Sequence, residues 1–170
     1  SLGYNIVERR RRLKPEFANL SQREINEIIW QKGKNEVAEE FEKIIFSYGG
    51  DSRPIDPDKV AESLFLCHEC TYLNVEDDER NFQQHSYLDE VLETAKSARV
   101  ENLLLFHTSL RYNLDELRTK IEDGMARIQP GCRVLVLYGD SIFDTASAHS
   151  WKKRIQREKA REKMLGDHQE

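Results

Sequence analysis

Short apolar runs that stop abruptly at polar, titratable residues recur along the chain. Residues 44–48 run into Gly49-Gly50-Asp51-Ser-Arg-Pro, and residues 64–67 run into His68-Glu69-Cys70-Thr71. A third polar group, Gln84-His85-Ser86, precedes a helical pattern, and residues 103–106 end in His107-Thr-Ser-Leu-Arg111-Tyr112. Runs of this length bounded by glycine or charge predict strands, over residues 2–12, 43–48, 63–68, 102–107 and 133–138. Helical spacing fills the intervals. Ser21 and Glu24 form a capping box for a helix through about Gln31 that Gly33 stops, and its Ile25, Ile28 and Ile29 predict packing on the sheet. Asp56-Pro57 starts a short helix, and longer ones span 87–99 and 114–125. Strand and helix then alternate, which predicts an α/β fold. Strands that end in reactive side chains present them to a crevice at their carboxyl ends. Several such endings in one chain predict one site.

A chain of 170 residues with 34% charged and 38% hydrophobic composition suits one polar domain with no membrane-length apolar run. Beyond Phe143 the composition turns charged, which divides the chain into a domain over 1–143 and a charged helical tail over 144–170, outside the core. The net charge of −5 excludes a generally basic surface. Two local basic runs stand out, Arg9-Arg10-Arg11-Arg12-Leu13-Lys14 and the segment 151–163. Each reads as a solvated face or as a phosphate-binding patch. The three cysteines, Cys67, Cys70 and Cys132, suit an intracellular, reducing compartment better than a disulfide framework. The CxxC spacing at Cys67 and Cys70 lacks the second ligand pair of a zinc knuckle, and on a strand it splits the two thiols between opposite faces.

Taken in order, the polar endings resemble motifs of the ribonuclease Z family, tRNA 3′-processing endonucleases of the metallo-β-lactamase fold. Gly50-Asp51-Ser52 is similar to that family's Gly-Asp-Thr, His68-Glu69-Cys70-Thr71 to its His-Glu-Ala-Thr, and His85-Ser86-Tyr87 to its His-Ser-Thr. His107-Thr108-Ser109-Leu110-Arg111-Tyr112 resembles its His-Phe-Ser-x-Arg-Tyr, and Leu2-Gly3-Tyr4-Asn5-Ile6-Val7-Glu8 resembles the strand that begins the second half of such enzymes. The resemblance covers roughly residues 2–140. The family's His-x-His-x-Asp-His signature belongs to the first half, and the five histidines here cannot rebuild it. The fold it implies is half of an αββα sandwich, a mixed sheet with helices on one face, plus the charged C-terminal helix.

The resemblance also implies roles. Asp51 and His107 would be metal ligands, with zinc as the metal. His85 would donate a proton at the scissile phosphate, with Glu69 orienting it. Arg111, Ser86 and Thr71 would lie on the phosphate side, the two hydroxyls also supporting the histidine–glutamate pair. The residues themselves leave alternatives open: Asp51 as a turn residue, His107 as a hydrogen-bonded structural histidine, Glu69 as a loop cap, Ser86 as the N-cap of the next helix, and Arg111 as a partner of Asp115 or Glu116. A catalytic zinc takes about three protein ligands, and a two-metal site roughly twice that. Asp51 and His107 fall short, so the chain alone is expected to be inactive. A two-zinc site would assemble only with the N-terminal half of the fold, on the same polypeptide or a separate one. Self-pairing into a homodimer is the other way to cover an exposed sheet face. The expected substrate is precursor tRNA or another RNA, with no membrane partner. The alternatives are a non-catalytic scaffold or RNA-contact protein, and a hydrolase of the same fold acting on another ester.

Overall fold

The computed structural model describes residues 2–77 and 84–147, together with Trp151, Ile155 and Gln156. The end of the acidic loop at Asp78 and Glu79, and nearly all of the basic tail segment, lie outside the described residues.

Six strands form a single mixed sheet in chain order: β1 (Tyr4–Leu13), β2 (Ala38–Tyr48), β3 (Leu66–Glu69), β4 (Asn102–Phe106), β5 (Arg133–Tyr138) and β6 (Ser141–Asp144). β2 to β5 run parallel, and the two edge strands are antiparallel to their neighbours. Helix α3 (Leu88–Ala98) crosses from β3 to β4, and α4 (Leu114–Ile128) crosses from β4 to β5. Both helices lie on one face. Their Val91, Leu92, Ala95, Leu117 and Ile121 pack with Leu66, Leu103, Leu105, Val134 and Val136 of the strands in one core. Alternate strand residues point the other way, so Leu104, Phe106, Leu135 and Leu137 remain half-buried on a face that no helix covers among the described residues. The α/β class is as the alternation predicts, and the mixed sheet with helices on one face is as the resemblance implies.

The strand β6 has no counterpart in the sequence reading. Gly139 and Asp140 make a two-residue hairpin between Tyr138 and Ser141, with Gly139 in the left-handed conformation (φ 61°) that such turns need. β2 also starts five residues before the predicted 43–48, because its polar first half pairs with the arginine-rich half of β1. The basic run at 9–12 is therefore strand. Arg9, Arg11 and Arg12 face Glu42, Glu40 and Glu39 across the pair, and Arg10 meets Glu8. Each of these guanidiniums thus has a carboxylate partner within the hairpin.

Helix α1 (Gln22–Lys32) has the expected capping box at Ser21 and Glu24 and stops at Gly33. The expectation that it packs on the sheet is corrected. α1 buries no residue, sits with α2 (Lys34–Val37) at the far end of the β1–β2 hairpin, and leaves Trp30 87% exposed. Its isoleucine stripe is real but only half-covered there. Trp151 is fully buried, stacks on Phe143 with ring centroids 4.6 Å apart and donates its indole N–H to the Asp144 carbonyl, so the core extends past residue 143. Among the described residues no helix is long and apolar enough to cross a membrane. The three cysteines are free.

Candidate metal and acid–base site

The parallel strands β2, β3 and β4 all end on the same edge, and the chain leaving each delivers one titratable group there. After β2, Gly49 and Gly50 turn the chain to Asp51. A side chain at Gly49 would meet the Ile55 Cδ1 at 2.7 Å, and Gly50 has φ 70°, so both positions suit glycine. β3 ends at Glu69, and β4 hands over to His107, whose φ of 60° swings the backbone off the sheet. His85 arrives from the segment before α3. The ligand atoms of Asp51, Glu69, His85 and His107 all lie within 4.8 Å of one another.

Glu69 is fully buried and its carboxylate is heavily used. Oε2 accepts from the Thr71 backbone N–H and the Thr71 hydroxyl, each at 2.9 Å, and Oε1 accepts from the Ser86 backbone N–H at 2.7 Å. Its distance to His85 Nδ1 is 3.6 Å, too long for a hydrogen bond. Glu69 therefore holds His85 through the peptide that follows it. The Thr71 oxygen, its hydrogen given to Glu69, lies 3.1 Å from His107 Nδ1 and ties that imidazole to the same carboxylate.

His85 Nδ1 lies 2.7 Å from Asp51 Oδ1, and His107 Nδ1 lies 3.5 Å from the same oxygen. The His85–Asp51 approach is close but not aligned: Nδ1 is buried and makes no hydrogen bond. Two carboxylates and two imidazoles gathered this closely, one ring nitrogen buried without a hydrogen bond, fit a nearby cation that would offset the repulsion between the carboxylates. The oxygen and nitrogen donors suit a divalent transition metal. This group can hold a metal ion.

The remaining predicted residues are placed as follows. Ser86 is fully buried, its hydroxyl donating to the Ser52 carbonyl at 2.7 Å, so it braces the Asp51 loop. Thr71 is likewise turned inward to Glu69 and His107. Nor is Ser86 the helix cap: Tyr87 precedes α3, and Glu90 accepts its backbone N–H. Arg111 is exposed on the rim, with its guanidinium 5.8 Å over the Tyr72 ring, and that ring meets His85 edge-on at 6.1 Å. Tyr72 and Arg53 were passed over in the sequence. Both border His85, and only their adjacency to Thr71 and Asp51 could have pointed to them. His68 belongs to the scaffold. Its Nε2 accepts from the Ile55 N–H at 3.2 Å and its Nδ1 lies 2.7 Å from the Glu69 carbonyl, and burial pushes its pKa down, so it stays neutral. Cys67 and Cys70 do fall on opposite faces of β3 and its continuation. Burial raises the Cys67 thiol to about 11 and pushes Cys70 further up.

Fold and site together define a mixed α/β sheet with two crossover helices on one face and a metal-capable cluster at its carboxyl edge. No family model matches the chain. It resembles ribonuclease Z over part of its length. It is 40% identical over 78 residues to the ribonuclease Z of Thermococcus onnurineus, covering 45% of this chain and 24% of that protein. The Pyrococcus horikoshii ribonuclease Z is 38% identical over 77 residues (43% and 24%), and that of Staphylococcus epidermidis 35% identical over 75 (43% and 24%). The chain thus spans about a quarter of the length of the curated relatives it matches. Among solved structures, the metallo-β-lactamase fold protein YhfI of Bacillus subtilis aligns with a TM-score of 0.45 at 20% identity, over 63% of this chain and 45% of that one. A long-form ribonuclease Z from yeast aligns with a TM-score of 0.43 at 24% identity, over 69% and 15%.

Proposed function

We propose that this chain is the C-terminal half of a zinc-dependent endoribonuclease that hydrolyses a phosphodiester at the 3′ end of precursor tRNA. The observation that carries the reading is the convergence of Asp51, Glu69, His85 and His107 within 4.8 Å. Partial identity to ribonuclease Z supports it. Asp51 and His107 would hold zinc, with the remaining ligands supplied by a first half bearing a His-x-His-x-Asp-His motif. When bound, a zinc pair supplies an activated water and an electrophile for the phosphate. His85, 29% exposed at its side chain, gives a proton to the oxygen leaving phosphorus. Glu69 fixes the His85 segment by its bond to the Ser86 N–H, and Arg111 at the rim pairs with a phosphate through its planar fork.

The first half would dock on the helix-free sheet face. Tyr48 and Phe106 stack there at 5.4 Å and Phe46 stacks on Phe65 at 6.1 Å, an apolar surface of the kind that marks an interface. The test is zinc content and mass of the purified chain, alone and mixed with a first-half polypeptide, followed by tRNA 3′ cleavage. The reading expects near-stoichiometric zinc only in the assembled protein, lost in Asp51→Ala and His107→Ala. A metal-free assembly would sink it and favour the scaffold reading. Zinc and cleavage of a different ester without tRNA cleavage would replace the substrate.

A further inference from the structure

We propose that Arg53 is a positioning residue for His85, acting with Ser86 as a reciprocal clasp between the loop that carries Asp51 and the loop that carries His85. The clasp has two crossed bonds. From one side, Arg53 Nη1 donates to the His85 carbonyl at 3.0 Å; from the other, Ser86 Oγ donates to the Ser52 carbonyl at 2.7 Å. Residues 52–53 are thereby held against residues 85–86 in both directions, although they are more than thirty positions apart in sequence.

Each half of the clasp is anchored separately. Arg53 Nη2 donates to Glu90 in the first turn of α3 at 2.5 Å, and its guanidinium lies 5.2 Å over the Tyr87 ring. A planar fork can reach the His85 carbonyl and the Glu90 carboxylate while stacked on an aromatic ring, a combination a lysine cannot reproduce. On the Asp51 side, the Ser52 hydroxyl lies 3.1 Å from the Gly49 carbonyl and 3.0 Å from the Arg53 carbonyl, closing the loop on itself. On the His85 side, the Ser86 N–H is fixed to buried Glu69. The backbone around His85 is thus tied to β3, α3 and the Asp51 loop. The His85 ring makes no hydrogen bond through its buried Nδ1. The ring's place beside Asp51 therefore depends on the backbone that carries it, and the clasp is one of the ties that hold that backbone.

The positioning role rests on the proposed reading of His85 as proton donor; the clasp itself does not, and two measurements separate them. The first needs no activity. In this chain with isotope-labelled histidine, nuclear Overhauser contacts are expected from the His85 ring to the His107 and Tyr72 rings, whose centroids lie 5.6 and 6.1 Å away. Arg53→Met and Ser86→Ala should lose those contacts while the methyl resonances of Leu103 and Val134 stay in place. Glu90→Gln, which leaves the Arg53 bond to His85 intact, should keep them. Retention in Arg53→Met would overturn the clasp. If Arg53→Met fails to fold, Arg53→Lys takes its place with the same criterion.

The second uses the assembled enzyme. A displacement of about 1 Å can cost on the order of 100-fold in rate. Arg53→Met is therefore expected to lower kcat about 10- to 100-fold with KM nearly unchanged, and Arg53→Lys to recover part of that loss. A fall confined to KM, or an unchanged kcat, would overturn the positioning role. An assembled wild-type protein that cleaves nothing would sink the nuclease reading alone, with the clasp still judged by the first measurement.

Discussion

The two faces of this one sheet are built from neighbouring residues of the same strands and have opposite fates. On one side Leu103, Leu105, Val134 and Val136 are wholly buried under α3 and α4; on the other Leu104, Phe106, Leu135 and Leu137 have no helix above them. Hydrophobicity does not distinguish the two sets, since one is leucine and valine and the other leucine and phenylalanine. What distinguishes them is which crossovers the chain itself supplies. Parallel sheets are ordinarily covered on both faces, and their strands read as continuous apolar runs for that reason. Here the runs are continuous, and among the described residues the cover is one-sided.

The largest effect should separate the faces directly. Leu105→Ala removes a side chain from a sealed core and is expected to cost about 2–5 kcal/mol. Leu104→Ala, one residue away on the open face, should cost about 1 kcal/mol, because much of that surface is already wet. Urea unfolding of the two variants measures the difference. Equal losses would mean that the open face is covered in solution, by a second copy or by another chain, and the mass of the protein would then show which.

How far the fold could be read in advance follows the same division. Asn102–Phe106 and Arg133–Tyr138 were legible to within a residue, because a buried strand is apolar on both sides and ends sharply in polar groups. The edge elements were not. β6 is four residues with Ile142 58% exposed, and the first half of β2 alternates glutamates, so neither carries an apolar signature. α1 shows the opposite failure: its stripe of isoleucines has the spacing of a core helix, and nothing in the spacing says that the surface beneath it is only the end of a hairpin. At the site, Asp51, Glu69, His85 and His107 could be found because each terminates a run or belongs to a motif. The resemblance gave Ser86 and Thr71 supporting roles, but their bonding partners could not be read, because a hydroxyl's direction depends on which carbonyl or carboxylate the fold brings to it. Arg53 was invisible for the same reason.

A second prediction sharpens the contrast at consecutive residues. Cys67 lies in register with Leu104 on the open face, and His68 lies in register with Leu105 on the closed one. Burial lowers the His68 pKa below its ordinary 6.5, so the folded protein resists the proton that the unfolded chain takes up. Above that value neither state is protonated and His68 contributes no pH dependence. As the pH falls below 6.5 the unfolded chain binds the extra proton first, and stability drops by up to about 1.4 kcal/mol per pH unit until the folded value is reached. Stability curves for the wild type and His68→Gln between pH 7 and 5 should therefore converge in slope above 6.5 and diverge below it. Parallel curves throughout would mean that His68 takes up its proton equally readily in the folded and unfolded chain.

The smallest effect is expected where the sheet outruns its helices altogether. All ten residues of β1 are exposed, and the strand is held to β2 by its backbone ladder and by the facing pairs Arg9–Glu42, Arg11–Glu40 and Arg12–Glu39. Exposed pairs of this kind contribute roughly 0.2–1 kcal/mol each and fade with salt. Arg11→Gln should therefore cost less than about 1 kcal/mol, and the difference from wild type should shrink between 0.05 and about 0.5 M salt, where screening shortens to a few ångströms. The charges there act less on stability than on pairing. An arginine at every position from 9 to 12 makes a long exposed edge a poor template for another strand, and matching carboxylates on β2 keep β1 attached to its own sheet. Arg9, Arg10, Arg11 and Arg12 changed together to Thr should then barely move the unfolding midpoint and should raise the rate of aggregation, read by light scattering. If instead the midpoint fell steeply and the protein stayed monomeric, the charges would be holding the hairpin together, and the contrast between a cored sheet and a charge-guarded one would have to be redrawn.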